Sequence, residues 1–328
     1  EIGSGLVGSE MCIRDRSYTV LKWTNKLGTD WMNAPSVPTV ADDGVIVMVG
    51  TTINKLSFEN GEIVASGKMS SSPSYGYTPA VVTGDEIIAP LGKGTLEAFD
   101  AKTLESKWSV SDELAGQALS PILCADGKAY TGFWNGEAKD ANFVCVDTAT
   151  GKLLWSYTVK GGFYWAGAYV CDDFLLIGTD DGASGYTTGK PSLLSFNPKT
   201  GELLSSYKMN VTGDIRSSIT HYNGKYYFTS KGGYFFEASV DATGNIEDVR
   251  TLKLYNYADD PANPAMSTCT PTIYNGRAYI GISGTAQFGA YSGHNLTVID
   301  IPNWEIAYTV RTHGYPQTSG VLTLSLIH

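Results

Sequence analysis

The stretch CVDTATGKLLWSYTV, Cys145 to Val159, reads as two strands joined by a tight turn. Apolar Cys145 and Val146 lead into a turn on Thr150-Gly151, and a returning strand carries Leu153, Leu154, Trp155 and Tyr157. The pattern recurs. AFDAKTLESKWSV (Ala98 to Val110) and SFNPKTGELLSSYKM (Ser195 to Met209) repeat the apolar pair, the Asp or Asn, the Thr-bearing turn and the returning strand, and KLSFENGEIVASGKM (Lys55 to Met69) is a looser copy. A hairpin of this kind cannot bury its own apolar face. Repetition at a steady spacing therefore implies units that stack on their neighbours.

Each unit carries a second turn upstream of that hairpin: Asp43-Gly44, Gly84-Asp85, Asp126-Gly127, Asp172-Asp173, Asn223-Gly224 and Asn275-Gly276. Asn-Gly and Asp-Gly between apolar runs are hairpin signals because these residues tolerate positive φ. The second residues of the pairs step by 41, 42, 46, 51 and 52. Two hairpins in forty to fifty residues make a four-stranded blade. The expected fold is all-β, a β-propeller of four-stranded blades. Six complete units are expected at about 24–70, 71–115, 116–162, 163–213, 214–263 and 264–316, and a truncated seventh opens at Thr318 to Thr323. The intact ring is expected to hold seven blades, with eight as the alternative, and Ser17 to Trp23 is expected beside the gap as an outer strand.

Two short segments do not read as part of that domain. Leu6 to Arg16, LVGSEMCIRDR, resembles a translated sequencing adapter, and Leu324 to His328, LSLIH, resembles the opposite strand of the same adapter. The native propeller is then expected over residues 17–323, with 1–16 and 324–328 as foreign tails.

Composition narrows the function. Lys and Arg number 23 against 33 Asp and Glu, a formal charge of −10, so a phosphate backbone finds no basic track and nucleic acid is not an expected partner. No apolar run is long enough to span a bilayer. Abundant Gly (37) and Tyr (20) with sparse charge (17%) suit an all-β chain of the secreted or cell-surface kind. Cys124, Cys145, Cys171 and Cys269 sit in strand-like runs without a Cys-x-x-Cys and are expected as buried thiols, with a Cys124–Cys145 disulfide as the alternative. His221, His294 and His313 fall in different units without metal-ligand spacing, and no Gly-x-Ser-x-Gly elbow or phosphate loop is present.

The signature Asp-x-x-Thr-Gly-x-x-x-Trp at Asp147 to Trp155, with the Asx-Gly hairpin before it, resembles the quinoprotein-like (pyrroloquinoline quinone repeat) β-propeller family over nearly all of 24–323. The resemblance is specific for the fold. That repeat builds quinone-dependent dehydrogenases and non-catalytic propellers alike. For the dehydrogenases the resemblance implies an aromatic floor, a calcium or lanthanide ion on acidic and amide side chains, an Asp base and, in many members, adjacent cysteines. Adjacent cysteines are missing here, and Asp180-Asp181-Gly182 lacks the alternating ligands of a calcium loop and reads as a solvated turn.

The leading reading is a non-catalytic binding or scaffolding propeller of a bacterial secreted or cell-surface protein. It is expected to carry no cofactor of its own and to take a protein, peptide or glycan ligand. The alternative is a pyrroloquinoline-quinone dehydrogenase with Ca²⁺. The ligand site is expected near the central axis, on the face where blade-to-blade loops gather with those between second and third strands. Candidate ligand-binding residues there are Trp134, Trp165, Asp181, Arg216, Tyr291 and His294.

Overall fold

The computed structural model describes residues 21–30, 33–74, 78–184, 188–255, 264–284 and 293–322. The two adapter-like segments, Ser17 to Val20 and the candidate Tyr291 lie outside them. Six antiparallel sheets follow one another, each a meander in which sequence neighbours pair. In the first, Thr39–Ala41 pairs with Gly44–Val49, which pairs with Thr52–Leu56, which pairs with Ile63–Lys68. The sixth sheet gains a fifth member, Ala265–Met266, against Ser283 and Gly284. The fold is the expected β-propeller.

Burial identifies the radial order. Second and third strands are buried nearly throughout, as in Glu86–Leu91 and Thr95–Asp100, because both their faces pack on neighbouring blades. Fourth strands alternate exposed and half-buried, as in Leu203–Lys208, which places them on the outside of the disc. Five apolar clusters bridge the blades in order. Phe99 and Ile53 meet between blades one and two, Ile88 and Val144 between two and three, Phe143 and Phe196 between three and four, Leu176 and Phe228 between four and five, and Phe235 and Ile299 between five and six. Among the described residues no such cluster joins blade six to blade one.

The repeat's own residues make these junctions. Asp147 accepts hydrogen bonds from the Thr150 hydroxyl (2.7 Å) and the Thr150 amide (2.9 Å), and Asp100, Asn197 and Asp241 cap their turns in the same way. The Gly that follows is left-handed, with φ +71° at Gly151 and +74° at Gly201, and the tryptophan of the preceding blade lies flat upon it. Trp108 Nε1–H donates to Thr148 O (2.7 Å) and Trp155 Nε1–H to Pro198 O (3.2 Å). Trp155 is buried, whereas Trp108 is half-buried. Between blades five and six the wedge is built from the other side, Trp304 donating to Thr251 O at 3.3 Å.

The same contacts extend to both ends of the described chain. Trp23 Nε1–H donates to Phe58 O at 3.0 Å over Gly61, the position that Trp108 and Trp155 hold on their following blades. At the other end the Thr272 hydroxyl donates to Gly320 O at 2.6 Å, as Thr39 does to Ala80 and Thr220 to Pro271 where each next blade begins.

Side-chain hydrogen bonds from Thr150 and Thr243 and a backbone one from Thr103 hold Asp147, Asp241 and Asp100 below the usual carboxylate range. A depressed folded-state pKa contributes stability above the unfolded value, near 3.8, and loses it as pH falls through the folded value. Acid titration followed by circular dichroism should therefore show Asp147→Asn less stable than the parent at pH 7, with a gap that narrows below about pH 4. A gap that stays constant down to acid would mean that charge has no part in these turns.

The thiols are single. Cys124, Cys145, Cys171 and Cys269 are all free. Cys124 belongs to the core shared with blade two and Cys145 to the core shared with blade four, so the two side chains leave opposite faces of one sheet and the alternative disulfide does not form. Burial pushes the Cys124 thiol up to about 11 and Cys145 up to about 12.

Candidate functional site

The meander sends both hairpin turns of every blade to one face. The other face, called the blade-junction face below, receives the loops from blade to blade and from second to third strand. On that face three blades place different side chains at one register. Trp134, Asp180 and Lys231 each lie seven residues after the second residue of their blade's first turn. Backbone bonds fix them: Trp134 N–H to Gln117 O (3.1 Å), Asp180 N–H to Gly162 O (2.9 Å) and Lys231 N–H to Asp214 O (2.9 Å). The loops leading into blades four and five add Tyr164, Trp165, Asp214 and Arg216.

Arg216 is the hub of this group. It is 4% exposed, and its Nε–H and Nη2–H donate to the two carboxylate oxygens of Asp180 at 3.0 and 2.5 Å, a bidentate pair. Nη2 also lies 3.0 Å from Glu137 Oε2 and 3.0 Å from Asp214 Oδ2, and the guanidinium carbon stands 4.3 Å from the centroid of the Tyr164 ring. Lys231 Nζ approaches Asp214 Oδ2 at 3.3 Å. Burial pushes the Asp180 carboxyl well above its ordinary value; Arg216 pulls it back and Asp214 pushes with burial. Burial also opposes the Arg216 charge, yet Asp180, Asp214 and Glu137 together hold its proton more tightly than water would.

Tyr164 meets Trp134 edge-on at 4.9 Å and Trp165 at 4.5 Å. Trp165 holds φ +60°, unusual for a bulky residue and a sign that its packing dictates its backbone. The indole N–H of Trp134 and the side-chain carbonyl oxygen of Gln117 are both buried and make no hydrogen bond, although the two residues are joined by a backbone bridge. A buried donor and a buried acceptor left without partners cost stability unless something pairs with them.

Four of the six candidate residues meet here. Trp134, Trp165 and Arg216 connect through Tyr164, and Asp181 joins them through its backbone N–H, which donates to Asp214 Oδ1 at 2.9 Å. The Asp181 carboxylate turns inward, accepting the amides of Ala183 (2.8 Å) and Gly189 (2.9 Å), and so shapes its own loop. His294 is buried in blade six and stacks on Tyr315, with centroids 5.9 Å apart and planes at 16°; burial lowers its pKa. The structure links it to Tyr315 rather than to Arg216. Tyr291 lies outside the described residues.

The solvated-turn reading of Asp180-Asp181-Gly182 is corrected. Asp180 is fully buried because Arg216, from the next blade, reaches across to it. Glu137 was missed, since nothing local distinguishes it from any surface Glu. The equal spacing of Trp134, Asp180 and Lys231 from their turns is the sequence signal that finds the rest.

Among the described residues, Glu137, Asp180 and Asp214 form the one group whose carboxylate oxygens, all within 4.8 Å of one another, could hold a metal ion. The guanidinium of Arg216 stands among them and already supplies the positive charge. The residues present therefore do not fit a metal ion at this centre. Beside it a cleft of about 390 Å³ opens between blades three and four, lined by Thr158, Lys160, Thr179, Asp181, Ser192 and Lys208.

Residues 20–164 match the family described as outer membrane protein assembly factor BamB. No curated protein matches the chain in sequence. Among solved structures, BamB from Moraxella catarrhalis is similar at TM-score 0.60 and 14% identity, over 92% of this chain and 80% of that one. The quinohemoprotein alcohol dehydrogenase ADHIIG from Pseudomonas putida HK5 is similar at TM-score 0.63 and 14% identity, over 90% of this chain and 63% of that one, so this chain spans less than two-thirds of it. A europium-containing methanol dehydrogenase is similar at TM-score 0.63 and 12% identity, over 90% of this chain and 75% of that one. At such identities these structures speak for the fold alone. The BamB-type match covers the first three blades, and the whole chain shares the β-propeller fold of these structures.

Proposed function

We propose that this propeller is a non-catalytic binding scaffold of the cell envelope or cell surface, whose ligand meets the blade-junction face at blades three to five. The observation that carries the reading is the open pair of Trp134 N–H and Gln117 carbonyl oxygen beside Tyr164. An unpaired donor and an unpaired acceptor on two backbone-bridged residues suit an amide, and an aromatic edge packs on one, so the ligand class is a protein or peptide backbone or an acetamido sugar. Trp134 and Trp165 contact it; Arg216 and Asp181 hold their positions. Similarity to the BamB family favours a protein as partner and the envelope as location. The locked guanidinium argues against the quinone-enzyme alternative. On the same reading the Gly320 contact repeats the start of each later blade, and Val321 opens a seventh.

Trp134→Phe keeps an aromatic side chain but removes the indole N–H together with its five-membered ring. Affinity capture from a detergent-solubilised envelope fraction should show the partner retained by the parent and reduced about tenfold or more by the variant. Equal capture by both would remove the axial site. Incubation with pyrroloquinoline quinone and Ca²⁺ should give no bound quinone absorbance and no dye reduction; stoichiometric quinone with turnover would overturn the non-catalytic reading.

A further inference from the structure

The outermost strands of the six blades end at Lys68, Ser111, Lys160, Lys208, Lys253 and Arg311. Five of these six residues are basic, all five are exposed, and none takes part in an ion pair among the described residues. Every outermost strand runs from its hairpin turn toward the next blade, so these ends share the rim of the blade-junction face. The opposite face carries the turns, where Asx chemistry demands Asp or Asn: Asp43, Asp85, Asp126 and Asp173 are all exposed there. The turn face also carries exposed lysines such as Lys102, Lys152 and Lys199, and Asp140 faces Lys160 across its strand pair, but only the junction rim has a basic strand end in five blades of six.

We infer that the blade-junction rim docks onto an anionic phospholipid surface. The five cations belong to blades one, three, four, five and six and spread around most of the disc. A single polyanion strand would need a continuous track, which this spacing does not offer. A small acidic protein would reach only a few blades. A bilayer is as wide as the disc and meets all five at once, each cation contributing weakly and their sum being cut by salt. The acidic turn face is repelled by the same surface, so the orientation is fixed. The rim lies outside the axial aromatic group, which is left facing the bilayer, where a membrane-borne partner of the proposed scaffold would present its loops.

The test compares two triple variants of equal net charge in the full chain. Lys160→Gln/Lys208→Gln/Lys253→Gln neutralises the rim, and Lys102→Gln/Lys152→Gln/Lys199→Gln neutralises exposed lysines on the opposite turns. Co-sedimentation with phosphatidylcholine vesicles carrying about one-third phosphatidylglycerol at low salt should show binding by the parent and by the turn variant, with about a hundredfold loss for the rim variant. Pure phosphatidylcholine vesicles should bind none of them. Equal losses in both variants, binding to neutral vesicles, or no binding to anionic ones at low salt would each overturn the inference. So would tight binding of poly-L-glutamate by a protein that ignores the vesicles, because the rim would then belong to an acidic polymer. None of these outcomes depends on the axial site, whose failure would appear in the Trp134→Phe capture instead.

Discussion

Arg216→Ala should destabilise the protein by about 3–5 kcal/mol, because it strands the buried carboxylates whose charge the guanidinium compensates. Asp180 loses both hydrogen bonds to the guanidinium, Glu137 loses its Arg216 contact, and Asp214 keeps Lys231 and the Asp181 amide. Urea unfolding of parent and variant at pH 7 measures the difference. Its pH dependence has a definite sign. The folded-state pKa of Asp180 is already raised by burial, so the folded protein binds this proton more tightly than the unfolded chain, and without Arg216 it binds it more tightly still. The deficit of the variant should therefore shrink as pH falls toward the unfolded value near 3.8. Removing the guanidinium also leaves three carboxylates with oxygens within 4.8 Å of one another, a ligand set that suits a hard trivalent ion. Tb³⁺ should restore part of the lost stability in Arg216→Ala and leave the parent unchanged. If Tb³⁺ stabilised the parent equally, the guanidinium would not be what fills that centre.

Trp155→Ala should cost about 3–5 kcal/mol, the range for a large buried aromatic cut back to Ala. The indole is 8% exposed, and its ring centroid lies 6.0 Å from each of Tyr130, Phe143 and Phe196. Its removal opens the junction between blades three and four, because Gly201 beneath it has no side chain to fill the space. The loss is mainly one of packing. Pro198 O keeps the Tyr130 hydroxyl as a donor at 3.1 Å, so no carbonyl is orphaned. Trp108→Ala, at a half-buried position in the equivalent wedge, should cost less, about 2 kcal/mol. A Trp155 variant that melts with the parent would mean that these junctions are not held by the tryptophan–glycine contact.

The fold was legible in the sequence because its cause is local and repeated. The Asx turn at Asp147 to Gly151, the Asx-Gly pairs at Asp126-Gly127 and Asn223-Gly224, and alternation in the outer strands each act within a few residues, and six near-copies reinforce one another. The wedge of Trp155 on the next blade's turn was legible for the same reason, since both halves of the contact belong to the repeat. The site was legible only in outline. Aromatic and polar residues could be assigned to one face by their place in the meander, which brought Trp134, Trp165, Asp181 and Arg216 into one list. What they do there was decided in three dimensions. Asp180 reads in sequence as half of an exposed acidic turn and becomes the most buried carboxylate of the site, because a guanidinium 36 residues away arrives from the next blade. Glu137 is drawn to the same centre across 79 residues. Charge compensation at such separations depends on which side chains meet, and no short-range pattern encodes that. The chain's local chemistry determined a propeller, and the packing of one blade on the next decided that its carboxylates would close around an arginine.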